Sequence, residues 1–345
     1  MVHFQQTLKE WYLLNKRELP WRNTKDPYKI WLSEVVLQQT RVDQGKSYYL
    51  KFINTFPTVS ELACASEQEV LSLWQGLGYY SRARNLHKAA IYIEKTLNGI
   101  FPKDYTSLLS LPGVGPYTAA AIASFSYGQP TAVVDGNVFR VLSRLYDIST
   151  AINSPKGARE FKNLSQALIS TTDPATHNQA IMEFGAIICV PKRPKCNLCP
   201  FTIDCKSLKK GTVTIRPVKT KKIKVRKRYF VYTVYYDLDG EFLFLKKRTA
   251  KDIWQNLFDF ELQELEDEKS FLKKIKSQNQ KHKTSRVTHK LTHQHINTLF
   301  VLNPITNKKK PDGLVQIKLS ELKNIPLPTL IKNYIENETA IAHSF

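Results

Sequence analysis

Four of the five cysteines in this chain fall within seventeen residues, Cys189 to Cys205, separated by six, two and five intervening residues. Thiols crowded in this way serve disulfides, a tetrahedral zinc site or an iron-sulfur cluster. Two carboxylates are the next candidates for chemistry. Glu34 stands in WLSEVVLQQTRV between Leu32 and Val35, where desolvation raises a carboxyl pKa toward the range a general acid needs at neutral pH; a solvated glutamate on an amphipathic helix has the same flanks. Asp135 follows two valines and precedes Gly136 in VVDGNVFR, a setting that suits a turn or helix cap as well as an anionic catalyst.

The elements that would position these groups are helices. Phe4, Leu8 and Trp11 with Tyr12 mark one apolar stripe, Ile30, Trp31 and Val35 a second, and Leu71, Leu73 and Trp74 a third behind a capping box of Ser66 and Glu69. Asn85 is expected to cap a helix that stops at Gly99, and Cys64, among Leu62, Ala63 and Ala65, is expected to be a small buried thiol. Within LPGVGPYTAAAIASF, Gly113 and Gly115 flank Val114 in a tight hairpin ahead of a helix. Glycine permits positive φ and close approach, so the two amides can face a phosphate at the helix N-terminus. This is the helix-hairpin-helix pattern of sequence-independent DNA binding, and Asp135 follows it by about twenty residues.

Composition agrees. The 345 residues allow two domains, and 51 Lys and Arg against 30 Asp and Glu give a net charge of +21, which favours a polyanionic partner. The start lacks a basic segment followed by an apolar core, and no stretch reaches the apolar length of a membrane helix, so a cytoplasmic, reduced protein with no membrane partner is expected. In that compartment clustered cysteines hold a metal more readily than they pair. Residues 206–228 carry eleven Lys or Arg and no acid, as a linker or basic arm would. From Tyr229 the period becomes two, and strands are expected in YFVYTVYYDLDGEFLFLKKR, INTLFVL and LVQIKL, with a closing helix in PLPTLIKNYIEN.

In order along residues 5–210, the strings WLSEVVLQQTRV, LWQGLGYYSRARNLHKAA, LPGVGPYTAAAI, VVDGNVFRVLSRLY and EFGAIICVPKRPKCNLCPFTIDC closely resemble the MutY-type adenine DNA glycosylases of the endonuclease III superfamily. The resemblance implies an all-α helix-hairpin-helix glycosylase domain at 1–210, a basic linker at 211–228 and an α+β MutT-like (Nudix-fold) domain at 229–345. It makes Cys189, Cys196, Cys199 and Cys205 ligands of a [4Fe-4S] cluster, in accord with a single CxxC pair where zinc sites usually have two pairs or His partners. Lys192, Arg193 and Lys195, like Gly113 and Gly115, would then meet the DNA backbone.

The implied activity is excision of adenine opposite 8-oxo-guanine or guanine in duplex DNA by a monomer. Glu34 would protonate adenine at N7 and later activate water or its counterpart nucleophile, and Asp135 would support the cationic sugar or briefly bond to it, the logic of two-carboxylate glycosidases. The flipped base would meet Trp21, Arg22 and Leu37 on one side and Gln179 and Met182 on the other; Gln39 and Tyr79 would enter the vacated stack, Thr40 would bind the substrate, and Asn137 and Tyr117 would orient the carboxylates. Lyase relatives carry lysine where this chain has Tyr117, so a monofunctional enzyme is expected; an endonuclease III-like lyase and a non-catalytic zinc-containing DNA-binding protein are the alternatives. The C-terminal acids Glu261, Glu264, Glu266, Asp267 and Glu268 do not form the metal box of nucleotide hydrolases. The family's lesion-sensing Phe-Ser-His is here Leu291, Thr292 and His293, which keeps a hydroxyl and an imidazole but loses the aromatic.

Overall fold

The structure is a computed structural model that describes residues 2–220, 225–239, 241–305 and 311–338. Residues 221–224 of the basic linker and Gly240 of the expected strand-connecting turn lie outside the described residues. The chain divides into two compact units, Met1–Cys64 with Asn85–Lys222, and Ala65–Arg84 with Ile223–Phe345.

Helices carry the chain up to the linker: α1 (Val2–Asn15), α2 (Pro27–Leu37), α3 (Val42–Thr55), α4 (Val59–Cys64), α5 (Glu67–Leu73), α6 (Ser81–Leu97) and α7 (Tyr105–Leu109). They continue with α8 (Pro116–Tyr127), α9 (Gly136–Leu145), α10 (Pro155–Leu168), α11 (Pro174–Ile187) and α12 (Lys206–Lys209). In the first unit α11 is the hub, packed against α1, α8 and α9, while α2 packs on α8. Side-chain caps set the starts: Asp26 accepts from Tyr28 N, Ser154 from Gly157 N and Asp173 from Thr176 N, each with proline in the first turn. The Ser66–Glu69 capping box is present at α5.

Two local expectations are corrected. Asn85 lies inside α6, which begins at Ser81, and its side chain occupies the space beside Gly113; a Cβ on that glycine would lie 2.5 Å from the Asn85 Cβ. Gly113, at φ +73, thus answers both a conformational and a steric demand. Cys64 is exposed, because the short α4 buries Val59 and Leu62, three residues apart, and Cys64 falls off that face.

The second unit contains β1 (Arg226–Asp237), β2 (Phe242–Lys247), β3 (Phe258–Asp259), β4 (Glu261–Leu265), α13 (Glu268–Asn279), β5 (Thr284–Lys290), β6 (Gln294–Ile305), β7 (Val315–Lys318) and α14 (Thr329–Asn337). The sheet runs β3-β2-β1-β6-β5, with β4 also paired to β1 and β7 to β2. β1 and β6 are parallel from Arg226↔Gln294 to Asp237↔Ile305. The period-two reading of β1 does not yield a solvated face, for Arg228 to Tyr232 are all buried. Tyr229 and Val231 pack with Phe271 and Ile275 of α13, while Tyr232 stacks on Phe300, which in turn stacks on Tyr334 of α14 at 3.8 Å between centroids. The strand is covered on both sides, which accounts for its nearly continuous apolar run.

Candidate active site

α2 buries nearly every residue from Tyr28 to Val36, and Glu34 goes inside with its apolar neighbours. α8 starts at Pro116 directly after Gly115, so Tyr117 falls in the first helical turn. Its Oη donates to Glu34 Oε2 at 2.6 Å and lies 3.3 Å from Met182 Sδ. Burial pushes the Glu34 carboxyl up to about 7; the Tyr117 hydrogen bond favours the ionised form, the charge of Asp135 disfavours it, and Arg22 favours it. A carboxyl so tuned is protonated in a useful fraction near neutrality and can give up its proton.

Asp135 is the N-cap of α9. Its Oδ1 accepts from the backbone amides of Asn137 at 2.9 Å and Val138 at 2.8 Å, and its Oδ2 from Asn137 Nδ2 at 2.7 Å. Burial raises its pKa from the ordinary carboxylate value, and these hydrogen bonds with nearby Arg140 oppose the rise. The cap is both an architectural device and a rigid mount for an anion at a helix N-terminus. Asn137 is itself held, since Arg140 Nη2 donates to its Oδ1 at 2.8 Å and to Gly185 O at 2.7 Å, while Arg140 Nε donates to Cys189 O at 2.6 Å. Gly185 presses on Asn137, where an added Cβ would lie 2.7 Å from the Asn137 Cβ.

One cavity of about 480 Å³ is lined by Glu34, Tyr117, Asp135 and Asn137 together with Trp21, Arg22, Leu37, Gln39, Thr40, Gln179 and Met182. Its wall also includes Arg17 and Glu183. Glu183 accepts from Arg17 Nε at 2.8 Å, Arg17 Nη2 at 2.7 Å, Arg22 Nη1 at 3.1 Å and Arg22 Nη2 at 2.7 Å. Burial opposes ionisation of Glu183, but these charged donors outweigh it and hold the carboxyl down to about 2. Gln179 Oε1 accepts from Tyr12 Oη at 2.8 Å, which orients the amide and leaves its NH₂ to donate. Trp21 packs edge-on against Tyr49. The cavity joins a raised acid, a capped carboxylate and an oriented amide, groups able to donate a proton, stabilise positive charge and hydrogen-bond a ligand.

In the second unit Tyr79, Thr292 and His293 line a separate cavity of about 410 Å³ with Trp254 and His289. The Tyr79 and Thr292 hydroxyls are 2.7 Å apart. Gln39 and Tyr79 both have left-handed backbones, at φ 56 and 49.

Cys189, Cys196, Cys199 and Cys205 line one small cavity with Arg144, whose Nη1 lies 3.5 Å from Cys189 Sγ. Burial, together with the three other cysteines, pushes the Cys199 thiol up to about 11. No three His, Cys, Asp or Glu among the described residues are grouped to hold a single metal ion. Four half-buried thiols, free of disulfides, surround one space. Lys192, Arg193 and Lys195 are exposed on the loop between the first two cysteines. Glu264 is committed to Arg228, and Asp267 caps α13.

Sequence reasoning missed Arg17, Glu183 and Arg140. Arg17 and Glu183 are 166 residues apart, so no local spacing links them; the one available signal was an acid, Glu183, between the apolar Met182 and Phe184. Arg140 reads as an ordinary helical arginine until the fold brings Cys189 O to it.

The profile of the HhH-GPD superfamily of base excision DNA repair proteins matches residues 32–167, and that of the NUDIX domain matches 231–337. The chain is 36% identical to the adenine DNA glycosylase of Buchnera aphidicola subsp. Baizongia pistaciae, over 96% of this chain and 95% of that one. It is 43% identical to the adenine DNA glycosylase of Mus musculus, over 59% of this chain and 41% of that one. Among solved structures, a thermostable thymine-DNA glycosylase is similar at a TM-score of 0.56 and 30% identity, over 60% of this chain and 95% of its own. A trapped endonuclease III–DNA covalent intermediate shares the fold at a TM-score of 0.52 and 22% identity, over 60% and 94%. No helix among the described residues is long and apolar enough to cross a membrane.

Proposed function

The chain belongs to the adenine DNA glycosylase family, and on that premise we propose that it hydrolyses the N-glycosidic bond of adenine opposite 8-oxo-guanine or guanine in duplex DNA. The observation that carries this reading is the pairing of Glu34, buried and raised to about 7, with the capped Asp135 in one cavity. Adenine is a poor leaving group until protonated. Glu34 gives its proton to N7 of the flipped base, the bond from the sugar to N9 breaks with its electron pair going to the base, and positive charge builds on the sugar. Asp135, held by Asn137 and Val138, stabilises that cation. Glu34, now a carboxylate, takes a proton from the attacking water, which leaves an abasic sugar and free adenine. Tyr117 steadies Glu34 through the 2.6 Å hydrogen bond and, as a phenol, offers no amine for a Schiff base, so the enzyme is monofunctional.

Trp21, Arg22, Leu37, Gln179 and Met182 receive the base, Thr40 binds the substrate beside them, and Gln39 and Tyr79 fill the gap the base leaves. Gly113, Gly115, Lys192, Arg193 and Lys195 hold the backbone, and Thr292 and His293 face the opposite base. Cys189, Cys196, Cys199 and Cys205 hold a [4Fe-4S] cluster, which supplies cross-linking of the loop when bound. Four thiols lining one cavity, with a single CxxC pair where zinc sites usually have two pairs or His partners, support that assignment over zinc. The enzyme acts as a monomer in the cytoplasm, on the nucleoid.

The test is single-turnover base release from duplexes carrying 8-oxo-guanine:adenine, guanine:adenine or thymine glycol. Asp135→Asn should bind the mismatch yet release adenine at least about 100-fold more slowly. Release of thymine glycol with borohydride trapping would instead establish the lyase, and a colourless protein carrying zinc would overturn the cluster.

A further inference from the structure

Thr292 and His293 are the exposed tip of the β5–β6 hairpin, closed by Leu291 N donating to Gln294 O at 2.8 Å. Directly behind them Gln294, the first residue of β6, is buried. Arg228 of β1, also buried, uses all its donors there. Nε and Nη2 meet Glu264 at 2.7 and 2.6 Å, and Nη1 and Nη2 meet Asp252 at 3.0 and 2.7 Å. The remaining hydrogen on Nη1 meets Gln294 Oε1 at 3.2 Å. A guanidinium only donates, so the Gln294 atom that faces it is the carbonyl oxygen, and the orientation of the amide is fixed. Gln294 Nε2 then lies 2.7 Å from His293 Nε2. An amide nitrogen also only donates, so His293 Nε2 must accept, and the neutral ring carries its proton on Nδ1.

We propose that Gln294 is a positioning residue that locks His293 in the Nδ1–H tautomer, so that the hairpin tip offers a donor to a base edge bearing an acceptor. The acidic pair Asp252 and Glu264 sets the order through Arg228, and each group in the chain dictates the role of the next. The proposal rests on the reading of Thr292 and His293 as facing the base opposite adenine, and its test separates the two.

Ring-nitrogen NMR of the isotope-labelled full-length protein, with His293 assigned through His293→Ala, should find Nε2 unprotonated and Nδ1 protonated. Gln294→Glu, whose carboxylate accepts, should turn Nε2 into a protonated nitrogen. A wild-type ring protonated on Nε2 overturns the proposal. In single turnover, the rate ratio for 8-oxo-guanine:adenine over guanine:adenine should fall about tenfold in Gln294→Glu and in Gln294→Leu, as for the loss of one hydrogen bond, and at least as far in His293→Ala. If His293→Ala lowers the ratio while neither Gln294 variant does, the positioning role is overturned. If His293→Ala leaves the ratio unchanged, the lesion-facing reading fails, and the tautomer assignment is decided by the NMR alone.

Discussion

Glu34 carries two opposed demands in one side chain. Its burial makes it a competent acid near neutrality, and the same burial makes its ionised form costly to the fold. The folded state binds the Glu34 proton more tightly than the unfolded chain, in which the carboxyl titrates near 4.5. Stability from this group is therefore complete below about pH 4.5 and is lost as pH rises through about 7, a difference on the order of 3 kcal/mol. Glu34→Gln removes the ionisation. In urea unfolding the variant should exceed the parent protein by that order at pH 8, with the gap closing toward pH 4.5. In single turnover the parent should lose adenine release about tenfold per pH unit above about 7, since only the protonated acid can act. Glu34→Gln should release no measurable adenine at any pH and still bind the mismatch.

At the scale of elements, α9 is the piece that joins the two chemically distinctive regions of the first unit. Its N-cap is Asp135, and its interior arginines reach the cysteine loop, Arg140 at Cys189 O and Arg144 at Val190 O and Pro191 O. The fit of Asn137 against Gly185 of α11 sets where the cap sits. Gly185→Ala should therefore displace Asn137 and slow base release by about 100-fold, the cost of a misplacement near 1 Å, with mismatch affinity retained; single-turnover rates and binding isotherms on the same duplex check it. Much of this architecture was legible beforehand, because apolar stripes, the Ser66–Glu69 box and the Gly113–Gly115 hairpin are local signals. β5 and α13 were not. The residues of β5 are half to fully exposed, so TSRVTHK carries no alternation, and α13 buries only Phe271 and Ile275. The two carboxylates of the proposed chemistry stood out too, as an acid and an aspartate in apolar strings. The pairs that line the same cavity or stand behind the cap, Arg17 with Glu183 and Arg140 with Cys189, are long-range and no periodicity encodes them.

For the molecule as a whole, a charge of +21 predicts binding driven by counterion release. The slope of log affinity against log salt should fall by about three units when Lys192, Arg193 and Lys195 are all changed to alanine, measured on one mismatch duplex across a salt series. The two left-handed residues place a different constraint on the chain over evolutionary time. Gln39 and Tyr79, at φ 56 and 49, occupy backbone conformations that cost a side-chain-bearing residue about 1 kcal/mol and a glycine almost nothing. Glycine at Gln39 would relieve that backbone cost while deleting a side chain proposed to enter the base stack, whereas glycine at Tyr79 would also forfeit the hydroxyl contact with Thr292. A lineage filtered for thermal resistance alone would have no reason to keep a side chain at Gln39, so a glutamine retained there would mark selection acting against the stability gradient.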